Sequence, residues 1–150
     1  MRERELLELL LFKLEEQQLL IASGRTRWIQ HAAKEVERVV EAMPMEALAR
    51  DTLVVSVAAD WGAPEATTLR GLIDVAPTDA WREVFEGHFQ AMTALAEEIR
   101  VMKQINEQRL RAALRVTQET IAGLGDPTGE YDVLGDVVRS GGSRLLDTEV

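Results

Sequence analysis

Residues 78–125 read TDAWREVFEGHFQAMTALAEEIRVMKQINEQRLRAALRVTQETIAGLG. Thr78 and Asp79 favour a helix start, because short polar side chains accept hydrogen bonds from the free amides of a first helical turn. The stretch contains no proline and its glycines cluster only at the end, so one helix is predicted over about residues 79–124. At about 1.5 Å per residue, this helix is on the order of 70 Å long, about twice the diameter of a compact domain of this size.

The apolar residues of this predicted helix recur every three or four positions, which is typical of a coiled-coil seam. The seam positions are Phe85, Phe89, Met92, Leu95, Ile99, Met102, Asn106, Leu110, Ala113, Thr117, Ile121 and Leu124. Three of them, Asn106, Ala113 and Thr117, are polar or small. The seam is therefore weaker in its second half.

Two further helices are predicted before this one. Leucines at helical spacing indicate a first helix over about residues 2–22, which ends at the break Ser23-Gly24. A second amphipathic segment begins near Thr26. Pro44 is expected to kink or end it, because proline lacks the amide proton that a helix interior uses.

The middle of the chain gives a mixed pattern. Residues 45–59 combine helical spacing with a run of β-branched valines, and a helix is predicted because a lone strand would have no strand to pair with. A turn is predicted at 60–64. Thr67 or Thr68 is then expected to cap a short helix over residues 69–75.

Together these elements predict an all-α fold, an elongated antiparallel helical bundle or coiled coil over residues 1–124 with a long C-terminal helix. Five of the ten glycines lie between Gly125 and Gly142, so residues 125–150 are predicted to be a flexible tail. Tyr131-Asp132-Val133-Leu134 within this tail is either a short recognition element or a segment that folds back onto the bundle.

The lengths of the predicted helices leave part of the seam without a partner. A first helix of about 20 residues is on the order of 30 Å long and covers less than half of the long helix. Either the second helix covers the rest, or the face near Leu110, Leu114, Ile121 and Leu124 is a groove for an amphipathic segment of another protein. The sequence leaves both alternatives open.

Composition argues against several classes of partner. The formal net charge is −9, with 3 basic and 9 acidic residues among residues 51–100, so nucleic acid and anionic membrane surfaces would be repelled. The absence of cysteine excludes thiol catalysis and disulfides. No apolar run reaches the roughly 18 residues of a membrane span, and the charged N-terminus predicts an amphipathic helix instead of a signal peptide.

Residues that could carry catalysis or hold a metal are sparse. The Glu-x-x-His pairs of helical di-iron sites do not occur, because Trp28 and Phe85 stand three residues before His31 and His88. His31 and Glu35 are one helical turn apart and are expected to form a surface pair, not half a metal site. No catalytic residue, metal site or cofactor is predicted, and the chain is not expected to be an enzyme.

Three features in this order resemble the FlgN-like family of flagellar export chaperones. They are a leucine-rich N-terminal helix, a long C-terminal helix with Asn106 followed by Leu110, and a trailing Tyr131-Asp132-Val133-Leu134-Gly135. The resemblance covers nearly the whole chain. It departs from the general pattern at the turn Trp61-Gly62-Ala63-Pro64 and in the extended glycine-rich end.

The resemblance implies a cytoplasmic chaperone of the flagellar type III secretion system. Such a chaperone binds the terminal helices of hook-filament junction (hook-associated) proteins, prevents their premature assembly and delivers them to the export apparatus. The client-binding residues it implies are Asn106, Leu110, Leu114, Ile121 and Leu124. It also implies that Tyr131 contacts the flagellar export gate.

Two alternatives come from other classes of protein. One is a structural coiled-coil adaptor that associates with itself, for example as a homodimer, and has no secreted client. The other is a small helical enzyme or ligand carrier, which would need a buried cavity with convergent polar groups. The self-associating adaptor predicts a stable dimer and a dispensable tail.

Overall fold

The computed structural model describes residues 2–125, with side chains described as far as Gly123. Within this range the chain forms helices and turns and contains no strand, which confirms the all-α prediction. The helices are α1 (Arg2–Ala22), α2 (Thr26–Asp60), α3 (Leu69–Asp74) and α4 (Asp79–Gly125). One compact unit ends at Ala112, within α4, and a second begins at Ala113. The predicted flexible tail lies outside the described residues, except for Gly125.

Pro44 lies inside α2, which continues to Asp60, so of the two predicted alternatives, a kink or an end, the helix does not end at this proline. Proline removes one helical hydrogen bond and costs about 3 kcal/mol in a helix interior. Beyond Pro44, however, α2 buries Val54 and Ala58, and burying a valine-sized side chain returns about 1.5–3 kcal/mol. Packing of the second half of α2 therefore offsets a substantial part of the cost of this proline.

Short, well-defined turns join the helices. Gly24 and Gly62 adopt left-handed backbone conformations with φ of 67° and 72°, which residues with a Cβ atom rarely adopt. Of the two threonines predicted to cap α3, Thr68 does so, because its Oγ1 accepts a 3.0 Å hydrogen bond from the amide of Gly71. The two glycines therefore allow tight turns after α1 and after α2.

In the first unit, α2 runs antiparallel to both α1 and α4. Ion pairs between Glu3 and Arg50 and between Lys13 and Glu35 show the reversal of α2 against α1. The direction of α4 follows α1, since His88 faces Arg4 and Glu3 near the start of α1. The prediction of an antiparallel helical bundle is thus confirmed, with α1 and α4 as its two parallel members.

Two apolar clusters hold these helices together. The first joins α1, α2 and α4 through Leu10, Leu14, Val39, Ile99 and Met102. In the second cluster α3 packs against α2 and the first half of α4. Its members include Val54, Ala58, Ala66, Leu72 and Phe85. Both the second helix and the short third helix therefore cover the first half of the α4 seam. No helix within residues 2–125 has the length and apolarity needed to cross a bilayer.

Candidate functional site

Asn106 is the most buried of the predicted site residues. Its side chain is 2% exposed, and Nδ2 donates hydrogen bonds to the backbone oxygen of Leu14 at 2.8 Å and to Oε1 of Gln17 at 3.1 Å. Its Oδ1 accepts no hydrogen bond from the described residues. Asn106 thus joins α4 to α1 within the chain, and another protein could reach it only after α1 moved.

Three of the other predicted site residues share one face of α4. At about 100° of rotation per residue, Leu110, Leu114 and Ile121 lie within an arc of about 40°. Leu110 is half-buried, whereas Leu114 is 62% exposed and Ile121 is 65% exposed. The side chain of Leu124 lies outside the described residues. In the second unit the structure therefore brings Leu114 and Ile121 onto the same exposed face, whereas Leu110 is half-buried in the first unit.

The last described turns of α4 form an exposed segment. Gln17 of α1 contacts Asn106 of α4. Because the two helices are parallel, Ala22, the last residue of α1, and Arg111, each the same number of residues further along its helix, lie at about the same level. Every described side chain from Arg111 to Gly123 is exposed. The spacing of apolar residues continues through this segment although no side chain described in residues 2–123 buries them, so it presents an exposed apolar stripe.

A second apolar surface lies in the first unit, and sequence reasoning missed it. A groove of about 710 Å³ lies between the second half of α2, the first half of α4, α3 and the start of α1. Among its lining residues, Met45, Leu48 and Leu53 are 70%, 62% and 65% exposed. The available signal was that residues 45–59 carry more large apolar residues than one helix face needs.

Charged side chains at the mouth of this groove are paired. Nη1 of Arg50 lies 2.6 Å and 2.8 Å from the two carboxylate oxygens of Glu3, and Nη2 lies 2.9 Å from Asp51. Burial alone would lower the pKa of Arg50. The hydrogen bonds and charges of Asp51 and Glu3 together have the larger effect, so the pKa of Arg50 is raised above its ordinary value. Burial, together with the charges of Arg4 and Arg50, lowers the pKa of His88 against the opposing effect of Glu3.

His31 and Glu35, the two residues considered as half of a metal site, contact other side chains of the helical bundle. His31 packs against Trp28 with ring centroids 5.6 Å apart, and Glu35 forms a 2.9 Å ion pair with Lys13. The direct ion pair of Glu35 is thus with Lys13, while the charge of His31 makes a smaller contribution to lowering the pKa of Glu35. Within residues 2–125, no three His, Asp or Glu side chains come together in a way that could hold a metal ion.

Tyr131, the residue predicted to contact the export gate, lies outside the described residues. A family model described as FlgN protein matches residues 1–133 of the chain. No curated protein and no solved structure gives a significant match. The matched range includes all four helices and extends beyond Tyr131.

Proposed function

Because the family match spans residues 1–133 of 150, the chain belongs to the FlgN family of flagellar export chaperones, and we propose that it binds the terminal helices of hook-filament junction proteins in the cytoplasm. Binding would cover the segments through which these proteins assemble. It would also keep the client unassembled until it reaches the type III export apparatus.

The observation that carries this proposal is the exposed apolar stripe of α4. Leu114 and Ile121 occupy the same helical face and are both more than half exposed. An amphipathic helix laid along this face would remove apolar surface of both partners from water, at about 25 cal/mol for each Å² buried. Helix-in-groove binding is a recurring way of recognising a helical segment.

We assign client contact to Leu110, Leu114, Ile121 and Leu124. Asn106 belongs to the same predicted set, but its amide is bonded to α1, so its part in client binding would require α1 to move or would be limited to orienting α4. Hydrophobic anchors near the centre of an interface usually carry most of its affinity. Leu114 and Ile121 are therefore the residues on which client affinity should depend most.

Tyr131 is assigned to contact with a component of the flagellar export gate. This proposal rests on the family resemblance, since the tyrosine follows α4 by only a few residues and lies within the matched range. A client held on α4 and a gate contact at Tyr131 would be separate functions of neighbouring parts of the chain. One could then be lost without the other.

The proposal is tested by co-purification with hook-filament junction proteins from a flagellated host, followed by calorimetric titration of their isolated terminal segments. A one-to-one complex formed through those segments supports the proposal. If no segment binds and the chain instead forms a stable dimer, the protein is a self-associating helical adaptor. Sedimentation velocity of the free chain, run alongside the titration, distinguishes the two.

A further inference from the structure

The outer face of α1 carries apolar side chains that no described residue covers. Phe12 is 51% exposed, Leu19 is 69% exposed and Leu9 is 40% exposed. At about 100° per residue, Phe12 and Leu19 lie within about 20° of each other, on the side of α1 opposite the buried Leu10 and Leu14. The helix is therefore apolar on two faces, and only one of them packs into the bundle.

Acidic side chains flank this outer stripe. Glu5, Glu8, Glu15 and Glu16 all lie within about 60° of Phe12 around the helix. Glu8 pairs with Arg4 at 2.9 Å, and Glu16 pairs with Lys13 at 2.7 Å. The other two, Glu5 and Glu15, form no ion pair with any side chain described in residues 2–123, so the face retains negative charge beside its apolar residues.

One cation already lies beside this face. The Lys13 ammonium nitrogen lies 5.2 Å from the centre of the Phe12 ring and 2.9 Å from a carboxylate oxygen of Glu35 on α2. An ammonium group over an aromatic ring is attracted by the negative face of the ring. The ring of Phe12 therefore already has one cationic group of this chain at its edge.

At its C-terminal end the stripe opens into a depression of about 450 Å³ between α1 and α2. Leu19 and Trp28 line it together with the charged Glu16, Glu35 and Arg25, so the depression itself is not purely acidic. Trp28 is 42% exposed, and the Arg27 guanidinium lies 5.0 Å from the centre of its ring. A concave site bounded by an aromatic ring can take a large apolar side chain of a partner, which is the usual position of a strong binding anchor.

We propose that this outer face of α1 docks an amphipathic helix of a partner protein whose apolar stripe is flanked by Lys or Arg. An apolar side chain of that helix would enter the depression beside Leu19 and Trp28, and its basic residues would face Glu5, Glu8, Glu15 and Glu16. Like charges placed there would repel, so charge complementarity selects the class of partner. The surface uses no residue of the α4 stripe, and it goes beyond the client site proposed above.

The test uses two designed 21-residue helical peptides with the same leucine stripe, flanked in one by lysine and in the other by glutamate. Each fluorescently labelled peptide is titrated with the full chain, and binding is followed by anisotropy. We expect the lysine peptide to bind at least about tenfold more tightly. Raising the ionic strength from about 0.05 M to about 0.3 M should weaken its binding, because the flanking pairs are exposed to screening.

Two matched pairs of variants locate the site. Phe12→Ser with Leu19→Ser should weaken lysine-peptide binding at least about tenfold, whereas Val84→Ser with Val116→Ser, at exposed apolar positions outside both proposed surfaces, should leave it unchanged. All four residues are more than half exposed, so the helical content should be retained.

The charge test uses Glu5→Lys with Glu15→Lys, which should weaken lysine-peptide binding and strengthen glutamate-peptide binding. Its control, Glu37→Lys with Glu41→Lys, makes the same change of charge at exposed positions of α2 and should have little effect.

Equal affinity for the two peptides, or binding of neither, would overturn the proposal. So would an equal response to the α1 and control variants, which would indicate attraction to the net charge of the chain alone. Self-association that depends on Phe12 and Leu19 in sedimentation velocity would make the occupant a second copy of this chain and would likewise overturn it. Because the designed peptides are not client segments, failure of the client proposal leaves this test intact.

Discussion

The side-chain amide of Asn106 donates a 2.8 Å hydrogen bond from Nδ2 to the backbone oxygen of Leu14, a residue 92 positions earlier in the chain. The same nitrogen donates to Oε1 of Gln17 at 3.1 Å. A backbone carbonyl oxygen can only accept, so the NH₂ group of Asn106 must face α1. A shift of α1 along α4 by one helical turn would break both bonds, and Asn106 therefore specifies the register of these two parallel helices.

Substituting Asn106→Asp should destabilise the protein by about 3 kcal/mol at neutral pH, because a buried carboxylate would face two acceptor oxygens. Burial raises the pKa of the new carboxyl above its value in the unfolded chain. The loss of unfolding free energy relative to the wild type should therefore grow as the pH rises above about 4 and shrink as the pH falls toward about 4. Urea denaturation of the variant and wild type at several pH values measures this.

The control is Asn106→Leu, which removes the hydrogen bonds without adding a titrating group. Its loss should be about 1–2 kcal/mol and should show no extra dependence on pH. Wild-type stability in the Asp variant at pH 7 would contradict the assignment of Asn106 to the α1–α4 interface.

Leu114→Asp should abolish client binding and leave the fold unchanged. The side chain is 62% exposed, so the free energy of unfolding should change by no more than about 0.5 kcal/mol. A charge at a central anchor should cost about 2 kcal/mol or more in client affinity, measured by calorimetry with the terminal segments. Circular dichroism of the free variant should match that of the wild type.

Val116→Asp provides a matched control for Leu114. Val116 is 57% exposed on the same helix, but it lies about 160° around the helix from Leu114. Its replacement should leave client affinity nearly unchanged. If both substitutions weaken binding equally, the client does not select one face of α4.

Tyr131→Ala should spare client binding and reduce delivery. We expect the variant to bind the client's terminal segment with wild-type affinity in calorimetry. It should recover less of the export gate in co-purification, with less client secreted. Tyr131→Phe, which keeps the ring, separates loss of the aromatic surface from loss of the hydroxyl. A parallel loss of client binding in Tyr131→Ala would refute the separation of the two functions.

His88 should make stability depend on pH near neutrality. Burial, with Arg4 and Arg50, lowers the pKa of its imidazole below the ordinary value, so the unfolded chain takes up a proton first as pH falls. The stabilising contribution is complete above about pH 6.5 and is lost as pH falls through the lowered pKa. Thermal denaturation of His88→Gln between pH 8 and pH 5 should lack this component, whereas His31→Gln should retain it.

Local sequence signals predicted the helices because those signals act within a few residues. The break at Ser23-Gly24 ends α1 after Ala22, and the cap at Thr68 begins α3, both within the predicted ranges. At Pro44 the sequence left a kink or an end of the helix open, because the continuation of α2 depends on what the following residues bury. That burial comes from α3 and α4, which are distant in sequence.

The exposed apolar surfaces were likewise predicted only as far as local helical spacing determines them. Sequence spacing placed Leu114 and Ile121 on one face of α4, but it did not show that both side chains are more than half exposed. The outer stripe of Phe12 and Leu19 and the groove at Leu48 were not predicted, because helical spacing shows which residues share a face and does not show which face is covered. Asn106 entered the predicted client site through the family resemblance, which also does not show which side chains the other helices bury.

The sequence by itself determined the all-α fold, the length of α4, the absence of thiol chemistry and the family, since these follow from composition, local spacing and the order of short motifs. Tertiary structure alone decided that Asn106 is bonded to Leu14, that α1 runs parallel to α4, and which apolar faces remain exposed. Those features depend on the register between helices. That register is set by side chains far apart in the chain, and no local pattern encodes it.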